Sequence, residues 1–346
     1  MRKYNCCVFI ARIQPPHAAH IQLIKLALDT ADEVIIILGS HRAAPDIKNP
    51  WTADEREEMV RRCFPNKEQE RIKFCPVRDQ PYHDTNWMTE VHQKVIENSP
   101  PEPTVALLGH KKDESSFYLD FFPQWDLIDP GKTIEGLSAT LIREKLFSNE
   151  LDGWKDNEVF TWKNSLHPSV YEYLQNFKKT KRFQNLVESY KFIEEYKKRW
   201  EAAPYAPIFV TTDTVVIKSG HILLVKRKGN PGKNLYALPG GFLNQNEYII
   251  DGAVRELREE TRIEVKKSVL KEYVTSNHVF DHPRRDLRGR TITHAFLIKL
   301  PDGGPLPKVK GSDDAKGAYW VPLAELPFLE EQFFSDHMQI INYFTR

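Results

Sequence analysis

Four short apolar runs, separated by segments with helical spacing, constrain the fold of the first half of this chain more than any other feature. They are CCVFIA, EVIIIL, RIKFCPV and TVALLG, at 6–11, 33–38, 71–77 and 104–109. Each has the length of a buried strand, and the first segment between them carries apolar residues at helical spacing at Ile21, Ile24, Leu28 and Ala31. Strands that alternate with helices pair in parallel, so we predict an α/β domain whose parallel sheet has helices on both faces.

The pattern changes near residue 207, after a segment with the features of a helix and a linker. Residues 181–200 carry apolar side chains on one helical stripe, and APYAP at 203–207 places two prolines within four residues. Beyond it strand-like runs predominate, among them VLKEYVTSNHVF at 269–280 and TITHAFLIKL at 291–300. We therefore predict a first domain at 1–180, a connecting helix and linker at 181–205, and an α+β domain at 206–346.

The charges of the chain are nearly balanced, with 49 Lys and Arg against 48 Asp and Glu and a net charge of +1. This balance gives no support to broad electrostatic binding of nucleic acid. No apolar run approaches the roughly 18 residues that a membrane-spanning helix needs. The four cysteines form no CxxC pair, which favours a reducing compartment. We expect a cytoplasmic protein that binds neither nucleic acid nor membranes, and the formation of a homo-oligomer stays open.

A group of glutamates in the second half indicates a metal site. Glu256, Glu259 and Glu260 lie at i, i+3 and i+4, so a helix places all three on one face. Such carboxylates repel one another unless a cation lies among them, and hard divalent ions such as Mg²⁺ prefer oxygen ligands. Arg255 lies four residues before Glu259 and is placed to orient it. The alternative is a solvated acidic helix face, which does not account for the residues around the three glutamates.

The full spacing resembles the Nudix box: Gly241, five residues, Glu247, seven residues and then RELREET. The resemblance implies an α+β fold with a mixed sheet sandwiched by helices, and a hydrolase that cleaves a nucleoside diphosphate linked to another group. It also implies that the three glutamates bind Mg²⁺, or Mn²⁺ in its place, to activate a water, with Glu259 and Glu260 as catalytic residues. One departure is Arg262, because the family usually has glycine there and helix ends favour glycine.

An arginine-rich segment, FDHPRRDLRGRTITHAF, follows at 280–296. It resembles a segment of Nudix enzymes that act on ADP-ribose. The resemblance implies that Arg285 and Arg288 bind substrate and that ADP-ribose is cleaved to AMP and ribose 5-phosphate. The alternative is a basic surface loop, since runs of charge are often only solvated.

Two histidines follow the first predicted strand, in the sequence ARIQPPHAAH at 11–20. The strand, this loop and the following helix form the start of an α/β sheet, where ligands bind beyond the carboxyl ends of the strands. The free N–H groups at the start of the helix suit a phosphate, and His17 and His20 would add donors. A zinc site would need three or four ligands, which no nearby Cys or His cluster supplies.

A second element, Ser138-x-Thr140-x-x-Arg143, opens another helix and on its own is a capping motif. Together with HAAH it resembles the HxGH and SxTxxR motifs of the nucleotidylyltransferase superfamily. The segments ARIQPPHAAH, NPWTADER and VRDQPYHDTNWMTEV resemble the archaeal-type nicotinamide mononucleotide (NMN) adenylyltransferases. The resemblance covers most of the first predicted domain and implies a Rossmann-like fold. One departure is Ala19, which stands where the family has glycine.

This resemblance implies a direct transfer, in which the 5′-phosphate of NMN attacks the α-phosphate of ATP to give NAD and pyrophosphate. It makes His17, His20 and Arg143 the catalytic residues. The residues that it implies bind nucleotide are Arg12, Gln14, Arg56, Asn86, Trp87, Ser138 and Thr140. The alternatives are a core aromatic for Trp87 and an exposed helix arginine for Arg56.

Together the two resemblances indicate a bifunctional enzyme of NAD metabolism, with a nucleotidyltransferase joined to a Nudix hydrolase. One alternative is a transferase that acts on pantetheine phosphate or a flavin, joined to a Nudix domain of other specificity. Another is a regulator that senses ADP-ribose. Regulators of this kind carry a DNA-binding module and often an eroded carboxylate box, whereas the glutamates here are complete. We therefore favour an enzyme.

Overall fold

The structure is a computed structural model that describes residues 3–109, 114–131, 134, 136–153 and 161–345. The chain divides into two compact units, Met1–Val187 and Glu188–Arg346. None of the helices in the described residues is long and apolar enough to cross a lipid bilayer.

The first unit contains a sheet of five strands in which every neighbouring pair is parallel. The strands are β1 (Tyr4–Ala11), β2 (Ala31–Leu38), β3 (Ile72–Pro76), β4 (Val105–Leu108) and β5 (Asp126–Ile128). Their order is β3-β2-β1-β4-β5, so the direction of winding reverses between β1 and β4. The predicted Rossmann-like arrangement is confirmed, and such sheets bind ligands at the carboxyl ends of the strands beside this switch point.

Buried side chains cover both faces of this sheet because alternate residues of a strand point to opposite sides. In β1, Cys7 and Phe9 belong to one buried cluster, whereas Cys6 and Val8 belong to another. The helices are α1 (Ala18–Thr30), α2 (Ala53–Arg61), α3 (Asn66–Gln69), α4 (Asp84–Asn98), α5 (Ala139–Phe147), α6 (Trp162–Ser165), α7 (Pro168–Phe177) and a 3-10 helix (Glu114–Phe121). The next helix, α8 (Lys181–Lys198), crosses the boundary between the two units.

The start of α2 and the end of α1 have different causes, a local capping box for the first and pairing in the sheet for the second. The hydroxyl of Thr52 accepts the N–H of Glu55 at 3.3 Å, and the Glu55 carboxylate accepts the N–H of Thr52 at 2.8 Å, which closes a capping box at the start of α2. The predicted continuation of α1 through Ala31 is wrong. Ala31 is instead the first residue of β2, because it pairs with Tyr4 of β1 in the sheet.

The second unit contains a mixed sheet of seven strands. They are β6 (Ile208–Lys218), β7 (His221–Arg227), β8 (Tyr236–Ala237), β9 (Gly240–Phe242), β10 (Val274–Phe280), β11 (Arg290–Lys299) and β12 (Ala315–Pro322). Five follow the order β10-β11-β6-β7-β12, while β8 pairs with β7 and β9 with β6. Strands β6 and β11 are parallel and the other pairs are antiparallel, so the predicted α+β class is confirmed.

A long amphipathic helix, α9 (Ile249–Thr261), packs on this sheet. Its residues Val254 and Leu257 join a buried cluster with Val216, Leu223 and Ile298 of the strands. The shorter helices are α10 (Lys267–Glu272), α11 (Leu326–Leu329) and α12 (His337–Thr345), with 3-10 turns at Leu323–Glu325 and Glu330–Gln332.

The strand predicted over 269–280 is wrong in its first part. Its first residues belong to the helix α10, which continues through Glu272. This helix packs Leu270 into the buried cluster beneath α9. Pairing with β11 begins only at Val274.

Candidate active sites

The two histidines lie where β1 passes into α1. His17 immediately precedes the first residue of α1 and His20 lies in its first turn, with ring centroids 3.8 Å apart and ring planes 28° apart. His17 is buried and His20 is half-buried. The first turn of a helix has N–H groups without intrahelical partners and the positive end of the helix dipole. The structure therefore brings both imidazoles to the end of α1 that suits an anion.

Arg143 ties the second motif to this loop across 129 residues of sequence. Its guanidinium donates to the carbonyl of Gln14 at 2.6 Å, to the carbonyl of Ile47 at 3.0 Å and to the hydroxyl of Thr140 at 3.1 Å. Ser138 caps α5 through its hydroxyl. Burial lowers the pKa of Arg143 to about 10. The two motifs that lie far apart in the sequence thus form one cluster.

Arg56 connects the carboxyl ends of β1 and β2 instead of facing solvent. It is fully buried, and its guanidinium donates to the carbonyls of Arg12 at 2.6 Å, Gly39 at 2.8 Å and Thr52 at 3.1 Å. Burial lowers its pKa to about 10. The alternative of an exposed helix arginine is therefore wrong, while Arg12, whose backbone it holds, is itself exposed.

The Gln14 side chain is engaged by the backbone of Trp51. Its amide donates to the Trp51 carbonyl at 2.9 Å and accepts the Trp51 N–H at 3.1 Å, and the residue is 1% exposed. The side chain thus holds the loop in place, and a nucleotide contact by Gln14 stays a prediction.

Asn86 and Trp87 lie in the first turn of α4. Asn86 is exposed, whereas Trp87 is half-buried and packs against the core cluster beneath α4. The rings that it contacts, at centroid distances of 6.1–6.5 Å, are those of Tyr118, Phe121 and Phe122. The structure thus supports a packing role for Trp87, and its contact with nucleotide remains a prediction.

In the second unit, Arg255 lies at the centre of the glutamate cluster. Its guanidinium donates to Glu247 at 2.6 and 3.0 Å, to Glu256 at 2.8 Å and to Glu259 at 3.0 Å. The hydrogen bonds from Arg255 lower the pKa of Glu247 to about 2. Among the described residues no group of three His, Cys, Asp or Glu side chains is arranged to hold a metal ion. In this arrangement Arg255 balances the charge of Glu256 and Glu259.

Glu260 is buried against the strand that precedes the helix. It is 8% exposed, and its carboxylate accepts the N–H of Gly240 at 3.0 Å. Burial raises its pKa to about 8. A Cβ on Gly241 would lie 2.6 Å from the carboxyl carbon of Glu256, so only glycine lets β9 approach the helix this closely.

The chemistry of this donor set fits a divalent ion. Glu256, Glu259 and Glu260 offer carboxylate oxygens, the ligands that Mg²⁺ and Mn²⁺ prefer. Burial raises the pKa of Glu256 as well as that of Glu260. A cation close to these two carboxylates would offset the cost of ionising them.

An open cleft of about 610 Å³ borders the Arg255 side of α9. Its lining residues are Asn246, Glu247, Tyr248, Asp251, Val254, Arg255, Arg258, Glu259 and Lys267. Arg258 adds positive charge beside the glutamates, whereas the charge of Lys267 is paired with Asp251 at 2.6 Å.

The two arginines predicted to bind substrate are held by carboxylates. Arg285 forms a bidentate ion pair with Asp336 at 2.9 Å, with side chains 6% and 9% exposed. Arg288 bonds Asp286 at 2.7–3.2 Å, with side chains 15% and 7% exposed. The alternative of a solvated basic loop is therefore wrong for both, and direct contact with substrate stays a prediction.

The sequence interpretation missed three buried polar residues of the second unit. Asp213 accepts the hydroxyl of Thr293 at 2.5 Å, His337 accepts the N–H of Leu238 through Nδ1 at 2.9 Å, and Asp336 holds Arg285. No local spacing marks these residues, because their partners lie between 51 and 99 residues away.

Two family models match the chain, each over one unit. A Cytidylyltransferase-like model matches residues 8–145 and a NUDIX domain model matches residues 208–344. The chain thus joins a nucleotidyltransferase domain to a Nudix domain.

Individual relatives narrow this class. A nicotinamide/nicotinic acid mononucleotide adenylyltransferase of Acinetobacter baylyi is 36% identical over 189 residues, which are 54% of this chain and 100% of that protein. An ADP-ribose pyrophosphatase of Methanocaldococcus jannaschii is 38% identical over 138 residues, which are 40% of this chain and 73% of that protein. A crystal structure of a bifunctional NMN adenylyltransferase/ADP ribose pyrophosphatase of Francisella tularensis, complexed with AMP and a Mn ion, is 34% identical. It has a TM-score of 0.91 and covers 98% of both chains. The chain belongs to the family of bifunctional NMN adenylyltransferase/ADP-ribose pyrophosphatases.

Proposed function

We propose that the first unit transfers the adenylyl group of ATP to NMN, giving NAD and pyrophosphate. We also propose that the second unit hydrolyses ADP-ribose to AMP and ribose 5-phosphate. The observation that carries this proposal is that each unit brings together charged and polar residues that suit its reaction. In the first unit these are the stacked histidines at the start of α1 and Arg143, which bonds the carbonyl of Gln14 in the loop before them. In the second unit they are the glutamates of α9 around Arg255.

In the first unit the reaction needs no protein nucleophile, because the phosphate of NMN attacks the α-phosphate of ATP directly. The protein then acts through positioning and charge stabilisation. His17 and His20 would donate to phosphate oxygens beside the first turn of α1, and Arg12 and Arg143 would neutralise the phosphates that leave. Ser138, Thr140, Arg56 and the amide of Gln14 would hold these loops in place, as their hydrogen bonds support.

In the second unit Glu256, Glu259 and Glu260 would hold Mg²⁺ or Mn²⁺. When bound, such an ion supplies charge for the diphosphate and lowers the pKa of a water. Arg255 would keep Glu256 and Glu259 oriented, and Gly240 and Gly241 would keep β9 close enough to shape the site.

The proposal also covers the cellular setting. We place the protein in the cytoplasm, which its four free cysteines support because a reducing compartment keeps thiols unpaired.

The test is a substrate panel with the full-length protein. With ATP we expect NMN to give NAD and pyrophosphate, and nicotinic acid mononucleotide, pantetheine phosphate and flavin mononucleotide serve as competing acceptors. With Mg²⁺ or Mn²⁺ we expect ADP-ribose to release AMP. A preference for another acceptor would overturn the first activity. DNA binding in a gel-shift assay without any release of AMP would favour a regulator over a hydrolase.

A further inference from the structure

The two residues between β8 and β9 belong to neither strand, and they lead directly into the glutamate site. They are Leu238 and Pro239, and they are followed by Gly240, whose N–H bonds Glu260 at 3.0 Å. Leu238 is 1% exposed, so its backbone N–H is shielded from water. Because a buried N–H without a partner is costly, the acceptor of this group determines how firmly the segment is held.

His337, the first residue of α12, supplies that acceptor from 99 residues further along the chain. Its buried Nδ1 accepts the Leu238 N–H at 2.9 Å. Oδ1 of Asp213 lies 4.0 Å from the same nitrogen, which is the spacing of an ion pair. Nδ1 cannot carry a proton while it accepts an N–H, so the ring is neutral and its proton is on Nε2. Burial lowers the pKa of His337, in agreement with this neutral state.

The residues on either side of this bond are held as well. The N–H of Phe334 donates to the carbonyl of Tyr236 at 2.8 Å. The carbonyl of Pro239 accepts the N–H of Thr214 at 2.9 Å and the hydroxyl of the same residue at 3.1 Å. Residues 236–240 are thus bonded in turn to the segment before α12, to α12, to β6 and to α9.

The segment also packs closely on β6. A Cβ on Gly240 would overlap the carbonyl oxygen of Thr212 and would lie 2.5 Å from Oδ1 of Asp213. The backbone at Gly240 therefore has little free space, and its N–H reaches Glu260 only while the residues before it keep their place. A carboxylate that is held by a fixed N–H offers its oxygens to a metal ion in a constant orientation.

We propose that His337 is a positioning residue of the Nudix site. By accepting the Leu238 N–H, it fixes the segment that presents the Gly240 N–H to Glu260. The proposal rests on the proposed hydrolysis of ADP-ribose, with Glu260 as a metal ligand. It gives α12 a part in the reaction through two backbone hydrogen bonds, although His337 itself is assigned no contact with substrate or metal.

The experiment replaces His337 in the full-length protein and measures Mn²⁺ binding by electron paramagnetic resonance, without substrate. In His337→Leu we expect the dissociation constant for Mn²⁺ to rise about tenfold, as for the loss of a group that orients a metal ligand. With ADP-ribose we expect kcat to fall about tenfold and KM to change little, because the effect reaches Glu260 and not the substrate. His337→Asn should restore most of both values, since its Oδ1 is as many bonds from Cα as Nδ1.

The matched control is His221→Leu, which removes another histidine of the second unit. Its Nδ1 lies 2.8 Å from the carbonyl of Ser219, in the turn after β6, and its loss should leave Mn²⁺ binding and kcat unchanged. His337→Gln carries its acceptor one bond further from the backbone, and it should show the same losses if His337→Leu does not fold.

The outcomes separate this role from the function on which it rests. If the unmodified protein releases no AMP from ADP-ribose, the proposed hydrolysis fails and the positioning role fails with it. If that protein is active and His337→Leu keeps its Mn²⁺ affinity and its kcat, only the positioning role is overturned. A lowered melting temperature, with losses that His337→Asn does not restore, would assign His337 to stability alone and overturn the proposal. A raised KM with an unchanged kcat would place its effect on substrate binding, which also overturns it.

Discussion

Arg262 occupies a backbone conformation that favours glycine. It has a φ of 46° and ends α9 in the left-handed region. The helix therefore ends at this residue although arginine replaces the glycine of the Nudix pattern, and the backbone of Arg262 is strained. We expect Arg262→Gly to raise the free energy of unfolding of the second unit by about 0.5–1 kcal/mol, since glycine removes the clash of Cβ. Arg262→Ala keeps Cβ and is the control. Equal stabilities of the two variants in urea denaturation would contradict this explanation.

Glu260 predicts a pH dependence of stability in the metal-free protein. Its pKa of about 8 in the folded chain lies above the ordinary value of 4.5, so folding favours the protonated carboxyl. This contribution is complete below about pH 4.5 and is lost as the pH rises through about 8. We expect Glu260→Gln, which stays neutral, to lose less free energy of unfolding than the unmodified protein between about pH 5 and 8.5.

The control for this measurement is Glu272→Gln, which removes an exposed carboxylate at the end of α10, away from the glutamates of α9. It measures the general effect of losing one acidic side chain on the free energy of unfolding. Parallel profiles for Glu260→Gln and the unmodified protein would show that burial does not hold the proton on Glu260.

At the scale of elements, α12 and the arginine-rich loop are joined by a buried ion pair. Arg285 lies in the loop and Asp336 immediately precedes α12. Because Asp336→Ala would remove the carboxylate that holds the buried guanidinium, we expect it to destabilise the second unit by about 3–5 kcal/mol. The double variant Arg285→Leu, Asp336→Leu should recover much of this loss. Chemical denaturation measures both, and a double variant as unstable as the single one would contradict an electrostatic cause.

Sequence patterns predicted the elements whose signal is local. Strands β1 to β4 are such elements, because each coincides with a buried apolar run of the sequence. The helix at Leu270 was missed because a short apolar segment fits a strand or a buried helix equally well.

The candidate sites were predictable to a similar extent. Spacing along one helix brought together Glu256, Glu259 and Glu260, and it placed Arg255 beside Glu259. Helical spacing could not reveal that Arg56 donates to three backbone carbonyls. Every residue has a carbonyl, so the order of residue types does not indicate which carbonyls a side chain will contact. Likewise the partner of Arg285 lies 51 residues away, so a pattern within the loop could not indicate the ion pair.

At the scale of the whole molecule, two chemistries share one chain with a net charge of +1. The proposed sites use different means. The first relies on histidines and arginines at a helix start and needs no protein nucleophile. The second relies on carboxylates that suit a divalent ion. The proposed reactions are related, since one makes NAD and the other consumes ADP-ribose, which arises when NAD is broken down.

The central claim is that each unit carries its own complete site. The most direct measurement is a paired assay of NAD synthesis and ADP-ribose hydrolysis in full-length His20→Ala and Glu259→Ala. His20→Ala should abolish NAD synthesis and keep hydrolysis, because the imidazole lies at the start of α1 in the first unit. Glu259→Ala should abolish hydrolysis and keep NAD synthesis. The loss of both activities in either variant, with the fold intact, would contradict two independent sites.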